Sequence, residues 1–588
     1  MTAPERLPEL SALRWLDRPA LHVATGLAGH VVVVLLWRLG CVHCRQALAE
    51  LARLQAEYLR RPFAVVAVHV PTSQTERCER RLRAALQELD GPLTVAVDES
   101  RALCNALRVS ALPAFVLADA DGEIRFRGHG EPNRLPLVEA IDSLLARAAH
   151  GRAATVPFVP CAEHRERSLM PRGIAAHGGE LWLAAAGHRR VYVVDTDGRV
   201  LRSIGSGAAG ADDGEALRAT FRSPQALCAL AAHMLVADAG SHTLRAIEYA
   251  TGEVATWCGT GRRSTDRTGG GFARDQGLCS PVGSIEHEGA VVVAQAGAHQ
   301  LWQFDPATRA ASAWFGTGVR AETDGGEAAA FVEPWAAAAF MDSLWVVDAG
   351  GGTLRQLELA HHRVQTVRRG LARPTAVVAA AGALWIAASW QPAVLRYEPV
   401  AGVLETWFDA AHGLVEPVAL AVDGNRLWIA DAATSCLFAA DLTRGERTLR
   451  RVPLTDVPAL PESPGAGLAD LAERLVLRAF CDVSLRIALP LPAGWQLDTK
   501  VPVQVDAIDE AKPVLACSRN TVATIDGATA VVLLPVAEEG HGALRLRVRG
   551  AARQGPAAAP ATATWNWVVP VEVAEAGPTE AEVRAVAR

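Results

Sequence analysis

The 588-residue sequence lacks an excess of positive charge. Its 58 lysines and arginines are outnumbered by 64 aspartates and glutamates, which gives a formal net charge of −6. Proteins that bind nucleic acid usually present a basic face, so the composition argues against a nucleic-acid partner. The first residues also lack the apolar core of a signal peptide, since Glu5 and Glu9 interrupt them. We therefore expect a cytoplasmic protein whose eleven cysteines are mostly reduced.

The sequence also lacks a convincing membrane span. Residues 374–395 carry no charge and are long enough to cross a bilayer, but Gly382 and Pro392 interrupt them. The same segment contains LWIAA at Leu384–Ala388, which returns as LWIAD at Leu427–Asp431. We interpret the segment as one copy of a repeat and expect no membrane association.

What is present begins with a cysteine pair. Cys41 and Cys44 follow the apolar run Val31–Trp37 in the stretch WRLGCVHC. The run predicts a buried strand, and residues 44–61 predict an amphipathic helix that begins at the pair. A helix N-terminus favours a thiolate, and a protonated His43 adds to this effect. We therefore expect a solvent-exposed Cys41 sulfur of lowered pKa, with Cys44 within reach to resolve a mixed disulfide.

The surrounding residues 1–150 alternate apolar strands with amphipathic helices, which predicts a mixed sheet covered by helices. The further predicted elements are a strand at 63–70, a helix at 76–89, a strand at 93–97, a helix at 102–107, two strands within 112–128 and a helix at 135–149. A structural zinc site usually needs a second cysteine pair. Cys78 and Cys104 stand alone, so we expect packing thiols and no metal.

The pattern Trp-x-x-x-Cys-x-x-Cys after an apolar strand resembles the thioredoxin superfamily. LPAF at Leu112–Phe115 is similar to the second motif of that family, a cis-proline loop. The resemblance implies a catalytic site made of the nucleophile Cys41, the resolving Cys44, the cis-proline Pro113, and the neighbouring His43 and Trp37. Many thioredoxins carry a buried carboxylate six residues before the first cysteine. This sequence has Leu35 at that position, which leaves a redox-silent module as an open alternative.

From residue 169 the sequence repeats. Six segments open on a proline, at Pro171, Pro224, Pro281, Pro334, Pro374 and Pro417. The spacing between these prolines runs from 40 to 57 residues, which leaves room for four short strands in each segment. This pattern predicts a six-bladed β-propeller.

The repeat carries the motif Ala-Asp-x-Gly-x-His-x-Leu, best kept at Asp238, Gly240 and His242, and it resembles the NHL repeat. The histidine persists as His299 in the third segment and is Gly352 in the fourth, so we interpret these histidines as turn residues. Ring-shaped lactonases and amidating lyases need metal ligands that converge on the channel. The sequence shows no such set, and we expect no cofactor.

The first three connections between segments are longer than the others. They begin after the glycine-rich stretches at 205–207, 259–261 and 316–318, and all three should emerge on one face of the ring. Their acidic and aromatic residues are Asp212, Asp213, Glu215, Glu322, Asp324, Glu327, Phe221, Phe272 and Phe331. They are either solvated loops with an aromatic residue tucked beneath each blade or a composite docking surface for protein partners.

The last part of the chain shows period-two alternation, as at Leu544–Arg549, which predicts a small β-sandwich. Cys481 and Cys517 are expected to be packed there. The predicted organisation is a thioredoxin-like domain at 1–150, a linker at 151–168, a six-bladed NHL-type propeller at 169–455, a proline-rich linker at 456–467 and a β-sandwich-like domain at 468–588.

The order of these modules resembles the NHL-repeat-containing protein 2 family. Two functions stay open. One is a thiol–disulfide oxidoreductase whose propeller presents protein partners to Cys41. The other is a non-catalytic interaction scaffold with a vestigial or redox-sensing dithiol. In both cases we expect a monomer.

Overall fold

The computed structural model describes most of the chain. The described residues are 5–148 without 17, 59–60, 88 and 90–92; 168–460 without 444–446; and 475–478, 482–489, 491, 495–497, 503–509, 518–526, 529–535, 540–554, 561–574 and 580–583. Residues 151–167 and 461–467 of the predicted linkers, Cys481 and Cys517 lie outside them. The chain divides into two compact units, one of Met1–Ser203 with Phe221–Val457 and one of Ile204–Thr220 with Pro458–Arg588.

The described residues between 5 and 148 form the predicted thioredoxin-like domain, a six-stranded mixed sheet in the order β1-β4-β3-β2-β5-β6. Its strands are β1 (Arg14–Trp15), β2 (Val31–Trp37), β3 (Phe63–His69), β4 (Thr94–Val97), β5 (Ala114–Ala118) and β6 (Ile124–His129). Its helices are α1 (Val23–Gly26), α2 (Val42–Glu57), α3 (Glu79–Gln87), α4 (Ala102–Ala106) and α5 (Arg134–Ala148).

The central strand β2 is apolar throughout because both of its faces are covered. Val33 and Leu35 enter a core with α2 and α5, whereas Val32 and Val34 enter a second core with α4. Alternate residues of a strand point to opposite faces, so an unbroken apolar run is the pattern expected for this position. The rigid sheet fixes the place where the chain leaves β2 and enters α2.

The predicted helix at 76–89 begins later than expected. A short 3₁₀ turn, Thr75–Arg77, precedes α3. Glu76 lies in that turn, fully buried, and its carboxylate accepts the N–H of Gly40 at 3.0 Å and the N–H of Thr72 at 2.7 Å. Because a buried carboxylate needs such donors, the backbone forms a separate turn that directs Glu76 inward.

The repeats form six sheets of four strands each, with a fifth strand on the third sheet. The strands are β7 (Pro171–His177), β8 (Glu180–Ala185), β9 (Arg190–Val194), β10 (Val200–Ile204); β11 (Pro224–Ala229), β12 (His233–Asp238), β13 (Thr243–Glu248), β14 (Val254–Cys258); β15 (Gly269–Phe272), β16 (Pro281–His287), β17 (Ala290–Gln295), β18 (Gln300–Phe304), β19 (Ala310–Phe315); β20 (Pro334–Phe340), β21 (Ser343–Asp348), β22 (Thr353–Glu358), β23 (Arg363–Arg368); β24 (Pro374–Ala380), β25 (Ala383–Ala388), β26 (Ala393–Glu398), β27 (Val403–Phe408); and β28 (Pro417–Asp423), β29 (Arg426–Asp431), β30 (Cys436–Asp441), β31 (Arg450–Pro453).

Each sheet begins at a repeat proline, and the six sheets close into a ring. The first strands of successive sheets contact one another, and β28 of the sixth sheet contacts β7 of the first. The two sheets also share one apolar core, which contains Leu183 and Trp428. The six-bladed propeller is thus confirmed, and residues 374–395 are strands of its fifth blade. In the described part of the chain, no helix has the length and apolar character needed to cross a membrane.

The aspartate that recurs in the repeat lies at the end of the second strand of its blade and accepts hydrogen bonds from the backbone just before the first strand. Asp348 accepts the N–H groups of Val332 and Glu333, both at 2.7 Å, directly before Pro334. Asp238 and Asp431 accept the corresponding pairs in the second and sixth blades. The carboxylate thereby fixes the residue before the blade proline in these three blades.

The repeat histidine occupies a left-handed turn, as the sequence predicts. His242 and His299 have φ values of 56° and 61°, and Gly352 at the equivalent position has 64°. Few residues adopt this conformation easily, and glycine does so without strain. The substitution of glycine for histidine in the fourth blade therefore keeps the turn.

The aromatic residues of the long connections differ in their burial. Phe331 is fully buried beneath Arg355, whose guanidinium lies 5.1 Å from the ring centroid. Phe221 lies in the same way beneath Arg245. Phe272, at the end of β15, is 60% exposed. Two of the three rings thus have the tucked position of the first alternative, and Phe272 does not.

The C-terminal residues of the second unit form two sheets. The strands are β32 (Leu475–Arg478), β33 (Asp482–Ala488), β34 (Trp495–Leu497), β35 (Gln504–Asp509), β36 (Ser518–Val522), β37 (Thr524–Asp526), β38 (Thr529–Pro535), β39 (Gly540–Gln554), β40 (Ala561–Ala574) and β41 (Glu580–Val583). One sheet has the order β32-β40-β39-β35-β36 with β34 beside β39, and the other has β37-β38-β33-β41. Val483, Leu485 and Ile487 of β33 are buried, as the period-two pattern predicts.

Candidate active site

Cys41 lies directly before the first turn of α2. Its backbone is extended, with φ −130° and ψ 121°, and its sulfur accepts the N–H of Cys44 at 3.2 Å. The first N–H groups of a helix have no partner within the helix, and the helix dipole favours negative charge there. The start of α2 therefore stabilises a Cys41 thiolate, as the sequence predicts.

The two thiols differ in acidity. The hydrogen bond from the Cys44 side chain lowers the pKa of Cys41 to about 7, against the opposing effects of burial and of the Glu333 carboxylate. Burial, followed by the neighbouring Cys41 sulfur, raises the pKa of Cys44 well above its ordinary value. At neutral pH, about half of Cys41 is consequently thiolate, whereas Cys44 is a thiol.

The prediction that Cys41 is exposed is wrong. Cys41 is 5% exposed and Cys44 is fully buried. The cover is the propeller face at which the first strands of the blades begin. It contacts the start of α2 and the preceding turn through Ala239, Ser280, His299, Glu333, Arg373 and Trp390. The sequence of the first domain alone predicts a free helix terminus because it does not show which other part of the chain packs there.

Both residues between the cysteines contact this face. Val42 is buried in the apolar core shared by the third and fourth blades, together with Phe331. The N–H of Val42 donates to Glu333 Oε1 at 3.3 Å. The Nε2 atom of His43 lies 3.1 Å from Nε2 of His299. The Cys-x-x-Cys segment thus anchors the domain on the propeller as well as supplying the dithiol.

A buried ion pair lies beside the cysteine loop. Arg373 Nη1 is 3.4 Å from Glu333 Oε2 and donates to the carbonyl oxygen of Gly40 at 2.9 Å. The guanidinium also lies 5.5 Å from the ring centroid of Trp390. Glu333 is fully buried and Arg373 nearly so. Charges in such surroundings are tolerated only when they are paired and hydrogen-bonded.

Gly40 allows the closest approach between the two folds. A Cβ atom at this residue would overlap the indole of Trp390. We predict that Gly40→Ala displaces the ring and loosens the cover, since overpacking costs about 1–3 kcal/mol. Modification of Cys41 by a bulky maleimide should become about tenfold faster, which corresponds to ~1.4 kcal/mol.

The matched control for this variant is Gly326→Ala. The nearest atom to a Cβ at Gly326 is the carbonyl oxygen of His362 at 3.5 Å, an ordinary contact. Labelling of Cys41 should be unchanged in the control. Equal labelling rates in Gly40→Ala and in the wild type would show that the Trp390 contact does not limit access.

The remaining predicted site residues are placed as follows. Trp37 is fully buried at the end of β2, with its ring centroid 5.0 Å from that of His69, so it belongs to the core. The Leu112–Pro113 peptide bond is cis, as the resemblance implies. Leu35 is buried in the apolar core. A carboxylate whose charge raises the pKa of Cys41 comes from the propeller, as Glu333.

The propeller residues of the site were not predicted from the sequence. His299 was interpreted as a turn residue only. Glu333 and Arg373 precede the blade prolines at a position where the second and third blades carry Ser223 and Ser280. The aligned repeats therefore contain a signal, a charged residue in the last three blades where the second and third have serine, although they do not show which surface it meets.

Comparison with known proteins agrees with this architecture. Residues 4–144 match the Redoxin family. SUPPRESSOR OF QUENCHING 1, chloroplastic, from Arabidopsis thaliana is 26% identical over 497 residues, which are 75% of this chain and 47% of that protein. NHL repeat-containing protein 2 from Homo sapiens is 27% identical over 322 residues, 51% of this chain and 44% of that protein.

A shorter relative covers the first domain only. The thiol-disulfide oxidoreductase YkuV of Bacillus subtilis is 26% identical over 110 residues, 19% of this chain and 74% of that protein. The chain spans less than half the length of the two longer relatives. It therefore carries a redoxin, thioredoxin-like domain and is homologous to NHL repeat-containing protein 2 and SUPPRESSOR OF QUENCHING 1 over about half to three quarters of its length.

Proposed function

We propose that this protein is a thiol–disulfide oxidoreductase in which Cys41 is the nucleophile and Cys44 the resolving thiol. The observation that carries the proposal is the position of Cys41 at the start of α2, where its sulfur accepts the N–H of Cys44. The side-chain hydrogen bond of Cys44, and to a smaller extent this backbone contact, lower the pKa of Cys41 to about 7. A thiolate at neutral pH is the species that attacks a disulfide.

The proposed reaction has two displacements. The Cys41 thiolate attacks one sulfur of a substrate disulfide, which releases the other sulfur as a thiolate and forms a mixed disulfide. Cys44 then loses its proton and attacks the Cys41 sulfur, which releases the second substrate thiolate and closes a Cys41–Cys44 disulfide. Two electrons pass from the dithiol to the substrate, and an external thiol must later reduce the protein.

The order of the two displacements follows from the electrostatic interaction between the two thiols. In the free dithiol, the charge on Cys41 is one cause of the raised pKa of Cys44, after burial. That charge is consumed when the mixed disulfide forms. The pKa of Cys44 then falls, so the resolving thiol is activated only after the first displacement.

The cover restricts the substrates that this proposal allows. Cys41 is 5% exposed and its two neighbours, Gly40 and Val42, contact the propeller, so a disulfide within a folded protein cannot approach the sulfur in this arrangement. We therefore expect small disulfides to react faster than protein disulfides of similar reduction potential. An opened arrangement of the two folds would be needed for larger substrates.

The experiment uses the reduced full-length chain and oxidised glutathione. We expect one Cys41–Cys44 disulfide per chain and release of two glutathione thiols, identified by mass spectrometry of the linked peptide. Cys104, which is buried elsewhere in the same domain, should remain a free thiol. If Cys41 and Cys44 both stay reduced while excess oxidised glutathione is present, the proposed function is wrong.

Docking of protein partners on the long propeller connections is also proposed. The exposed ring of Phe272 on β15 supports it, because Phe221 and Phe331 at the related positions are buried. Part of the face predicted for docking is, however, occupied by the thioredoxin-like domain. A scaffold without redox turnover remains the alternative function, and the burial of Cys41 favours it over an enzyme that acts on folded proteins.

A further inference from the structure

A chain of four side chains crosses from the propeller into the thioredoxin-like domain and back. Arg263 Nε lies 2.7 Å from Glu131 Oε2. The other oxygen of Glu131 lies 2.6 Å from Nδ1 of His43. The Nε2 atom of His43 lies 3.1 Å from Nε2 of His299. Finally, His299 Nδ1 lies 2.6 Å from the carbonyl oxygen of Val332.

The partners fix the protons along this chain. A carbonyl oxygen only accepts, so Nδ1 of His299 carries a proton and donates to Val332. In a neutral His299 the Nε2 atom is then an acceptor, and Nε2 of His43 must donate to it. Glu131 is paired with Arg263 and also accepts, so Nδ1 of His43 donates as well. Both ring nitrogens of His43 therefore carry protons, and His43 is a cation.

We propose that His299, with Arg263 acting through Glu131, keeps His43 doubly protonated beside Cys41, so that the propeller supplies positioning residues for the nucleophile of the redoxin domain. This inference rests on the proposed function, since it assigns the source of the positive charge at the same site. The charge lies two residues from Cys41 on the first turn of α2. It favours the thiolate by direct attraction.

The electrostatic surroundings agree with this assignment. The titratable and charged groups that face His43 are Cys41, Glu131, His299 and Glu333. Burial lowers the pKa of His43, but the hydrogen bond and charge of Glu131 outweigh it, and the pKa is raised. Burial, and then the charge on His43, lower the pKa of His299 to about 4. The proton is thus placed on His43 and not on His299.

Glu333 and Arg373 also act on the pKa of Cys41, and their effects oppose each other. Glu333 disfavours the Cys41 thiolate, and the guanidinium of Arg373 offsets this effect from the other side of the carboxylate. The pKa of Cys41 therefore depends on residues from three blades, His299, Glu333 and Arg373. Because His299 belongs to the third blade, the closed arrangement that covers Cys41 also supplies the group that keeps the proton on His43.

The test compares two asparagine variants at equivalent turn positions. Asparagine tolerates the left-handed conformation of both sites. In His299→Asn the side-chain amide keeps the Nδ1 position but removes the Nε2 acceptor. His242→Asn is the control, because His242 has the same turn geometry and its Nδ1 accepts the N–H of Ser280 without contacting His43.

The readout is the rate of Cys41 alkylation by iodoacetamide as a function of pH in the reduced full-length chain. The midpoint should rise by about one unit in His299→Asn, which makes the reaction about fivefold slower at pH 7. The limiting rate at high pH reports access to the sulfur and should not fall. His299→Gln, whose side-chain oxygen reaches the position of Nε2, should recover most of the difference. An NMR titration of His43 should show its pKa falling in His299→Asn only.

The outcomes separate this inference from the proposed function. A low midpoint in the wild type that is unchanged in His299→Asn overturns the inference and leaves the proposed function standing. Equal shifts in His242→Asn and His299→Asn also overturn it, since the effect would then be general to the propeller. A wild-type midpoint at the value of a free thiol contradicts the proposed function itself.

Discussion

Replacing Cys41 by serine is expected to slow the reduction of oxidised glutathione by at least about a thousandfold. The hydroxyl of serine is protonated at neutral pH, and in the described part of the chain the side chain of residue 41 is hydrogen-bonded to Cys44 and to no base. His43 cannot take this role because both of its ring nitrogens already carry protons. The measurement is the rate at which glutathione thiol appears after the reduced variant is mixed with the disulfide.

Cys44→Ser should behave differently. The first displacement remains possible, so the variant should accumulate a stable Cys41–glutathione mixed disulfide with release of one thiol per chain. Cys104→Ser is the control, since this thiol lies outside the site and should leave the wild-type stoichiometry of two. Retention of two-thiol release by Cys44→Ser would contradict the role assigned to Cys44.

The scaffold function makes a different prediction. It predicts that the double variant Cys41→Ser, Cys44→Ser keeps its full effect in cells.

Arg373→Met is expected to weaken the closed arrangement by about 3–5 kcal/mol, because it leaves the buried Glu333 carboxylate without a cation. The N–H of Val42 donates to that carboxylate, so the loss should appear at the start of α2. We expect hydrogen exchange of the amides at residues 42–44 to accelerate by two to three orders of magnitude, the equivalent of ~3–4 kcal/mol.

Two controls isolate the buried charge. The double variant Arg373→Met, Glu333→Gln removes both charges and should restore much of the protection. Arg368→Met removes an arginine of the fourth blade that stacks on Tyr397 with no buried carboxylate partner among its described contacts. It should leave exchange at 42–44 unchanged. Equal effects of Arg368→Met and Arg373→Met would show that the ion pair is not what stabilises the cover.

Much of the fold follows from local patterns in the sequence. The uncharged run at 31–37 predicts β2, and the six repeat prolines mark the first residue of each blade's first strand. These features depend on near neighbours in the chain, through strand alternation, turn chemistry and the restricted backbone of proline. The start of α2 and its effect on Cys41 follow from the same kind of local reasoning.

The parts of the site that escaped prediction depend on packing between distant segments. Val42 and His43 are separated from Phe331 and His299 by more than 250 residues. The turn geometry of His299 was predicted, yet the same side chain also contacts His43, and a repeat motif cannot reveal that second role. Glu76 is an example within one domain. The periodicity predicts one continuous helix at 76–89, but the contact of the buried Glu76 with Gly40 requires a separate turn before α3.

The proposed redox function depends most directly on the acidity of Cys41 in the closed, wild-type chain. Its alkylation by iodoacetamide should be half-maximal near pH 7, because the pKa of Cys41 is lowered to about 7. The reaction rate should rise through this range as the thiolate forms and then level off at a low plateau set by the propeller cover. A midpoint near 8.5, the value of an ordinary thiol, would contradict the claim that this covered cysteine is the nucleophile of a redox site.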